Sequence, residues 1–127
     1  MTDDAAALNR DPAAAAEAFF DGACPLCRAE IAQYRRMRGA ETVAWRDAAA
    51  GEAPPEIGRA AALARFHVRR ADGALVSGFR AFLAIWRVNP RLAPLARLLD
   101  RPPFTWAGEA AYRLFLRVRP LWRRRAR

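Results

Sequence analysis

The chain has no lysine, one histidine and only two cysteines among its 127 residues. Two cysteines exclude a multi-bridge disulfide framework. No run approaches 18 uninterrupted apolar residues, so no transmembrane helix is expected. Asp3, Asp4 and Asp11 stand near the start without a basic n-region, which argues against a secretory signal. No Gly-rich dinucleotide or phosphate loop is visible, so no bound cofactor is expected. All 22 basic residues are arginine. Richness in alanine, arginine and proline accords with a GC-rich coding sequence, so arginine over lysine needs no functional reading. The net charge of +9 favours acidic surfaces, anionic lipid or nucleic acid.

What is present centres on the two cysteines. They form Cys24-Pro25-Leu26-Cys27, directly after Asp21-Gly22-Ala23. A C-x-x-C that opens a helix just after a strand is an arrangement for thiol-disulfide exchange. Ala16 to Phe20 reads as the strand, ended by the Asp-Gly turn. Pro25 to Arg38 reads as the helix, with Pro25 in its first turn, Cys27, Ile31 and Tyr34 on one face, and Gly39 as its end. Cys24 is then expected at the helix cap, beside free N–H groups and the positive end of the helix dipole. Cys27 is expected one turn in and more buried. This makes Cys24 the candidate attacking thiol, aided by Arg28, and Cys27 the resolving one, with Pro25 and Leu26 as supporting residues. Asp21 either forms the approach turn or takes part in proton transfer.

Further along, Thr42 to Trp45 reads as a strand leading to Arg46-Asp47, and Glu56 to Ala64 as a short helix interrupted by Gly58. Phe66 to Arg69 and Leu75-Val76 read as a hairpin across Ala71-Asp72-Gly73. Phe66 and Val68 share one face, His67 and Arg69 the other. Ser77 is the expected N-cap of a helix bearing Phe79, Phe82, Leu83 and Trp86. Ser77-Gly78 is also a weaker candidate for a substrate contact, as are Trp45 and Asp47. The order β-α-β-α-β-β-α predicts an α/β, thioredoxin-like core with a mixed four-stranded sheet.

Phe19-Phe20-Asp21-Gly22-Ala23-Cys24-Pro25-Leu26-Cys27 resembles the start of the DCC family of small thiol-disulfide oxidoreductases, which open with aromatic-Asp-Gly-x-Cys-Pro-x-Cys. The likeness continues in Phe66-His67-Val68, Ala71-Asp72-Gly73, Ser77-Gly78, Ala81-Phe82 and Ala111 to Phe115. The resemblance implies a thioredoxin-like oxidoreductase with Asp21, Cys24 and Cys27 as signature positions. One departure from thioredoxins is that Leu63-Ala64-Arg65-Phe66, before the third strand, lacks the cis-proline they place against the cysteines.

His67 reads as structural or exposed. With Cys24 and Cys27 it makes only three of the four ligands zinc needs, so no metal is assigned; a zinc-bridged dimer, with a carboxylate or a second chain as fourth ligand, is a lesser alternative. Residues 1–14 are expected to be a disordered leader, 15–90 the core, and 91–127 a C-terminal helical extension with a basic tail. In that extension Leu92 to Leu99 and Gly108 to Arg119 read as helices. Ala111, Leu114, Phe115 and Val118 form the expected inward stripe, with Glu109 and Arg113 paired on the other side. The expected setting is a reducing cytoplasm. The expected partners are a disulfide-containing protein or small thiol and an external reductant. A non-catalytic adaptor is the alternative, docking its basic helices on a membrane surface or membrane protein. Nucleic acid ranks last as a partner, for want of a recognised motif.

Overall fold

The computed structural model describes residues 11–125. Strand β1 (Ala15–Phe20) leads into helix α1 (Pro25–Arg35), and β2 (Ala44–Asp47) returns parallel to β1. Helix α2 (Gly58–Ala64) precedes the antiparallel hairpin β3 (His67–Arg70) and β4 (Leu75–Ser77). Helices α3 (Phe79–Trp86), α4 (Ala93–Leu99) and α5 (Phe104–Arg125) complete the chain. The sheet order is β2-β1-β3-β4, with β1 antiparallel to β3. This is the thioredoxin-like arrangement, and it puts the end of β1 and the start of α1 beside the entry to β3.

The core forms where α1, α3 and α5 meet one sheet face. Ala15, Ala18, Phe66 and Val68 from the strand region pack with Ile31, Ala81, Ala84, Ile85 and Tyr112. Alternation along β3 buries Val68 and leaves His67 and Arg69 half-exposed. On the opposite face Glu17 pairs with Arg46 at 3.1 Å and with Arg69 at 3.2 Å.

Several boundaries differ from the sequence expectation. Helix α1 ends at Arg35, three residues early, and Gly39 (φ 95°) caps a 3-10 turn over Ala40–Thr42. That turn removes Thr42 from β2, which starts at Ala44. The N-cap of α3 is Gly78, not Ser77, because Ser77 is held in the β3–β4 ladder opposite His67. Gly78 adopts φ 67°, a conformation that favours glycine, and its N–H reaches the Phe66 carbonyl at 3.0 Å.

Most of the expected leader, residues 1–10, lies outside the described residues, as do Ala126 and Arg127 of the basic tail. Asp11, assigned to that leader, instead faces Arg87 at 3.3 Å and Arg97 at 3.5 Å. The largest correction concerns α5. Its inward residues are Gly108, Glu109, Tyr112, Phe115, Leu116 and Arg119, whereas Ala111, Leu114 and Val118 face solvent. The helix carries two apolar stripes, and the inward one includes ionic side chains that disguise it. It also starts at Phe104 and continues through Pro120 to Arg125, longer at both ends than the expected Gly108 to Arg119.

Candidate active site

The Asp21-Gly22 turn is built by its own side chains and by β2. Asp21 Oδ1 accepts the Ala23 N–H at 3.0 Å, and the Asp21 carbonyl accepts the Cys24 N–H at 3.2 Å. Asp47, at the end of β2, accepts the Gly22 N–H at 2.9 Å and the Ala49 N–H at 2.9 Å with the same Oδ1. A Cβ on Gly22 would collide with that carboxylate, so the loop requires glycine. Asp47 therefore positions the approach to the cysteines, a role its sequence context marked only faintly. Trp45 belongs to the fold instead: its Nε1 donates to the Ala40 carbonyl at 3.3 Å.

Cys24 is the N-cap of α1. Its Sγ accepts the Cys27 N–H at 3.3 Å, and its carbonyl accepts the Arg28 N–H at 2.9 Å. Both cysteines are free thiols. Their exposure is the reverse of the sequence expectation: Cys24 is fully buried and Cys27 half-buried. Cys27 instead lines a small cavity of about 30 Å³, room for a water or two. Burial pushes the Cys27 thiol well above its ordinary value. The hydrogen bond and charge of Cys24 push the same way, as does Asp21, while Arg119 opposes them. Leu26 and Arg28 are exposed beside the pair, and Pro25 occupies the first turn.

The cavity has aromatic walls and an ionic rim. Phe66 and Phe82 lie 4.8 Å apart between ring centroids, and Tyr112 meets Phe82 edge-on at 5.7 Å. Arg119 reaches in from α5 and places Nη2 2.5 Å from Asp21 Oδ2 and 2.7 Å from the Leu63 carbonyl. Both members of that pair are buried, Asp21 at 4% and Arg119 at 7% exposure. Tyr112 Oη accepts the Phe66 N–H at 2.6 Å, and Arg65 pairs with Glu109 and stacks over the Tyr112 ring. Helix α5 is thus a wall of the cysteine site. It also occupies a backbone donor at the entry to β3, where thioredoxins carry their cis-proline.

Sequence reasoning missed Arg65, Glu109, Tyr112 and Arg119. The available signal was the second helical stripe, Tyr112-Phe115-Arg119, spaced as regularly as the one chosen. Ser77 and Gly78 do not line the cavity at Cys27; Gly78 abuts Arg65 and Glu109. His67 Nδ1 lies 2.8 Å from the Arg65 carbonyl, and burial, with the Arg65 charge, holds its pKa below the ordinary value. Among the described residues, no group of three or more His, Cys, Asp and Glu side chains gathers as a metal site.

A strand ending in Asp-Gly, a cysteine capping the next helix and a second one turn along, on this sheet order, define a thioredoxin-like protein with a C-x-x-C pair. Residues 18–125 match the family model described as DCC1-like thiol-disulfide oxidoreductase, and the chain belongs to that family. No curated protein and no solved structure matches the chain.

Proposed function

We propose that this chain is a thiol-disulfide oxidoreductase in which Cys24 attacks and Cys27 resolves. The observation that carries the division of labour is the Cys27 N–H aimed at Cys24 Sγ at the N-terminus of α1. Negative charge on that sulfur meets a hydrogen-bond donor and the positive end of the helix dipole. Cys27 is held protonated by burial and by its neighbour, which suits a thiol that acts second.

In this reading the Cys24 thiolate displaces one sulfur of a substrate disulfide and forms a mixed disulfide. Cys27 then attacks Cys24 Sγ, the bond to the substrate sulfur breaks, and the substrate leaves with two more electrons than it brought. Cys24 and Cys27 end as a disulfide, which an external thiol reductant returns to the dithiol. The Cys27 proton must leave during the second step. Asp21, a carboxylate on the same cavity, is the proposed acceptor, and Arg119 is its positioning residue. Because Cys24 is buried, attack requires a local opening of the Ala23–Leu26 segment, whose Ala23 and Leu26 are exposed.

Substrates are proposed to be protein disulfides or small disulfides, in a reducing compartment. The test is turnover of a model disulfide with excess dithiol as reductant, comparing the unaltered chain with Cys24→Ser. Loss of at least about a hundredfold is expected, since the remaining thiol lacks the capped position. Full activity without Cys24 would overturn the assignment.

A further inference from the structure

The outward face of α5 is independent of the redox site, and its chemistry is uneven in a telling way. Of the large apolar side chains left exposed among the described residues, all but Leu26 lie between Leu95 and Val118. Trp106 is 70% and Leu114 63% exposed. Charge is concentrated in the same part of the chain. Residues 91–127 hold ten arginines against two acids, eight of the nine net positive charges. Both acids are already engaged. Asp100 lies 3.5 Å from Arg80 and 3.6 Å from Arg87; Glu109 pairs with Arg65 and, as expected from its i,i+4 spacing, also lies 3.9 Å from Arg113, whose side chain is 72% exposed.

Helical geometry sorts these residues into two adjoining strips. Arg113 and Arg117 follow Trp106 at i+7 and i+11 and share its edge. Ala110, Leu114 and Val118, at i+4, i+8 and i+12, drift progressively onto the neighbouring strip. Trp106, Ala110, Arg113, Leu114 and Arg117 indeed line one surface groove, with Glu109, the partner of Arg65, as its one acid. Tyr112, Phe115 and Arg119 point the other way, into the protein. No helix among the described residues is long and apolar enough to cross a membrane.

We propose that the outward face of α5 docks in plane on an anionic phospholipid bilayer. Leu114, Val118 and Trp106 enter the headgroup–acyl boundary, while Arg113 and Arg117 pair with lipid phosphates along one edge. The excess of arginine over acid here is what commits the face to anionic lipid rather than to a second, equally basic copy of this chain. Docking in this pose leaves the wall formed by Tyr112 and Arg119 undisturbed.

The experiment is sedimentation of the full chain with vesicles of phosphatidylcholine alone or mixed with phosphatidylglycerol, at low and high salt. Binding is expected only to the mixed vesicles, and it weakens with salt. Trp106→Glu or Leu114→Glu, exposed positions that leave the fold intact, should each weaken it at least about tenfold. Arg113→Gln with Arg117→Gln should weaken it further than Arg36→Gln with Arg38→Gln, which removes the same charge elsewhere. No binding to the mixed vesicles would overturn the proposal. So would equal effects of the two arginine pairs, which would reduce the face to net charge. A lipid-independent dimer dissolved by Leu114→Glu, with no vesicle binding, would assign the face to a second copy instead.

Discussion

At the scale of single residues, the Asp21–Arg119 pair joins the cysteine loop to the last helix across 98 positions of sequence. A buried ion pair is costly to break from one side, because the surviving charge loses its partner. Arg119→Met is therefore expected to lower unfolding free energy by about 3–5 kcal/mol, measured by urea denaturation. Adding Asp21→Asn should restore part of that loss. His67 offers a separate check. Its depressed pKa means that the folded protein resists the protonation the unfolded chain accepts. Stability is then expected to fall as pH drops below the ordinary histidine value of 6.5, until folded His67 also takes up a proton. Following the imidazole by NMR should place its midpoint below 6.5. The motif residues Asp21, Cys24 and Cys27 were legible because their spacing is local. Their exposure was not, since it depends on what folds over them from Leu63 and Arg119.

At the scale of elements, β1, α1, the hairpin and α3 could be read from periodicity and from Asp-Gly and Ser-Gly punctuation. The exact ends of α1 and β2 could not. They follow from the Gly39 turn, where a Cβ would strike the Val88 carbonyl, a contact no local pattern reveals. The orientation of α5 was misread because two apolar stripes compete, and only its partners decide between them. Glu109 finds Arg65 and the Phe79 N–H, the latter at 3.3 Å, and Arg119 finds Asp21. Truncation after Leu99 is consequently expected to unfold the chain, because it removes Tyr112 from the core. Loss of cooperative thermal unfolding would show this. A second 3-10 turn, Ala48–Ala50 after β2, is capped by Asp47 and carries a further expectation. Asp47→Ala deletes the acceptor of two N–H groups and should cost about 1–2 kcal/mol. It should also slow disulfide exchange by loosening the Gly22 approach. A stability change with unaltered exchange would confine Asp47 to the fold.

At the scale of the whole molecule, a thioredoxin-like sheet has gained a C-terminal helix that closes its cysteine site on one side and presents an arginine-edged apolar face on the other. Burial has also raised the pKa of three weak acids, Cys27, Tyr34 and Tyr112. Groups raised in the folded state contribute stability that is complete below their unfolded values and is lost as pH rises. Unfolding free energy should thus decline above about pH 9–10, near the ordinary cysteine and tyrosine values. The central claim remains that the capped sulfur attacks first. Its most direct test is the intact mass of reduced Cys27→Ser and Cys24→Ser chains after brief exposure to glutathione disulfide. The account predicts a stable mixed disulfide on Cys24 in the Cys27→Ser chain and little adduct in the other. Rapid adduct formation on Cys27 in the Cys24→Ser chain, with Cys27→Ser inert, would contradict it and give the attacking role to the sulfur that faces the cavity.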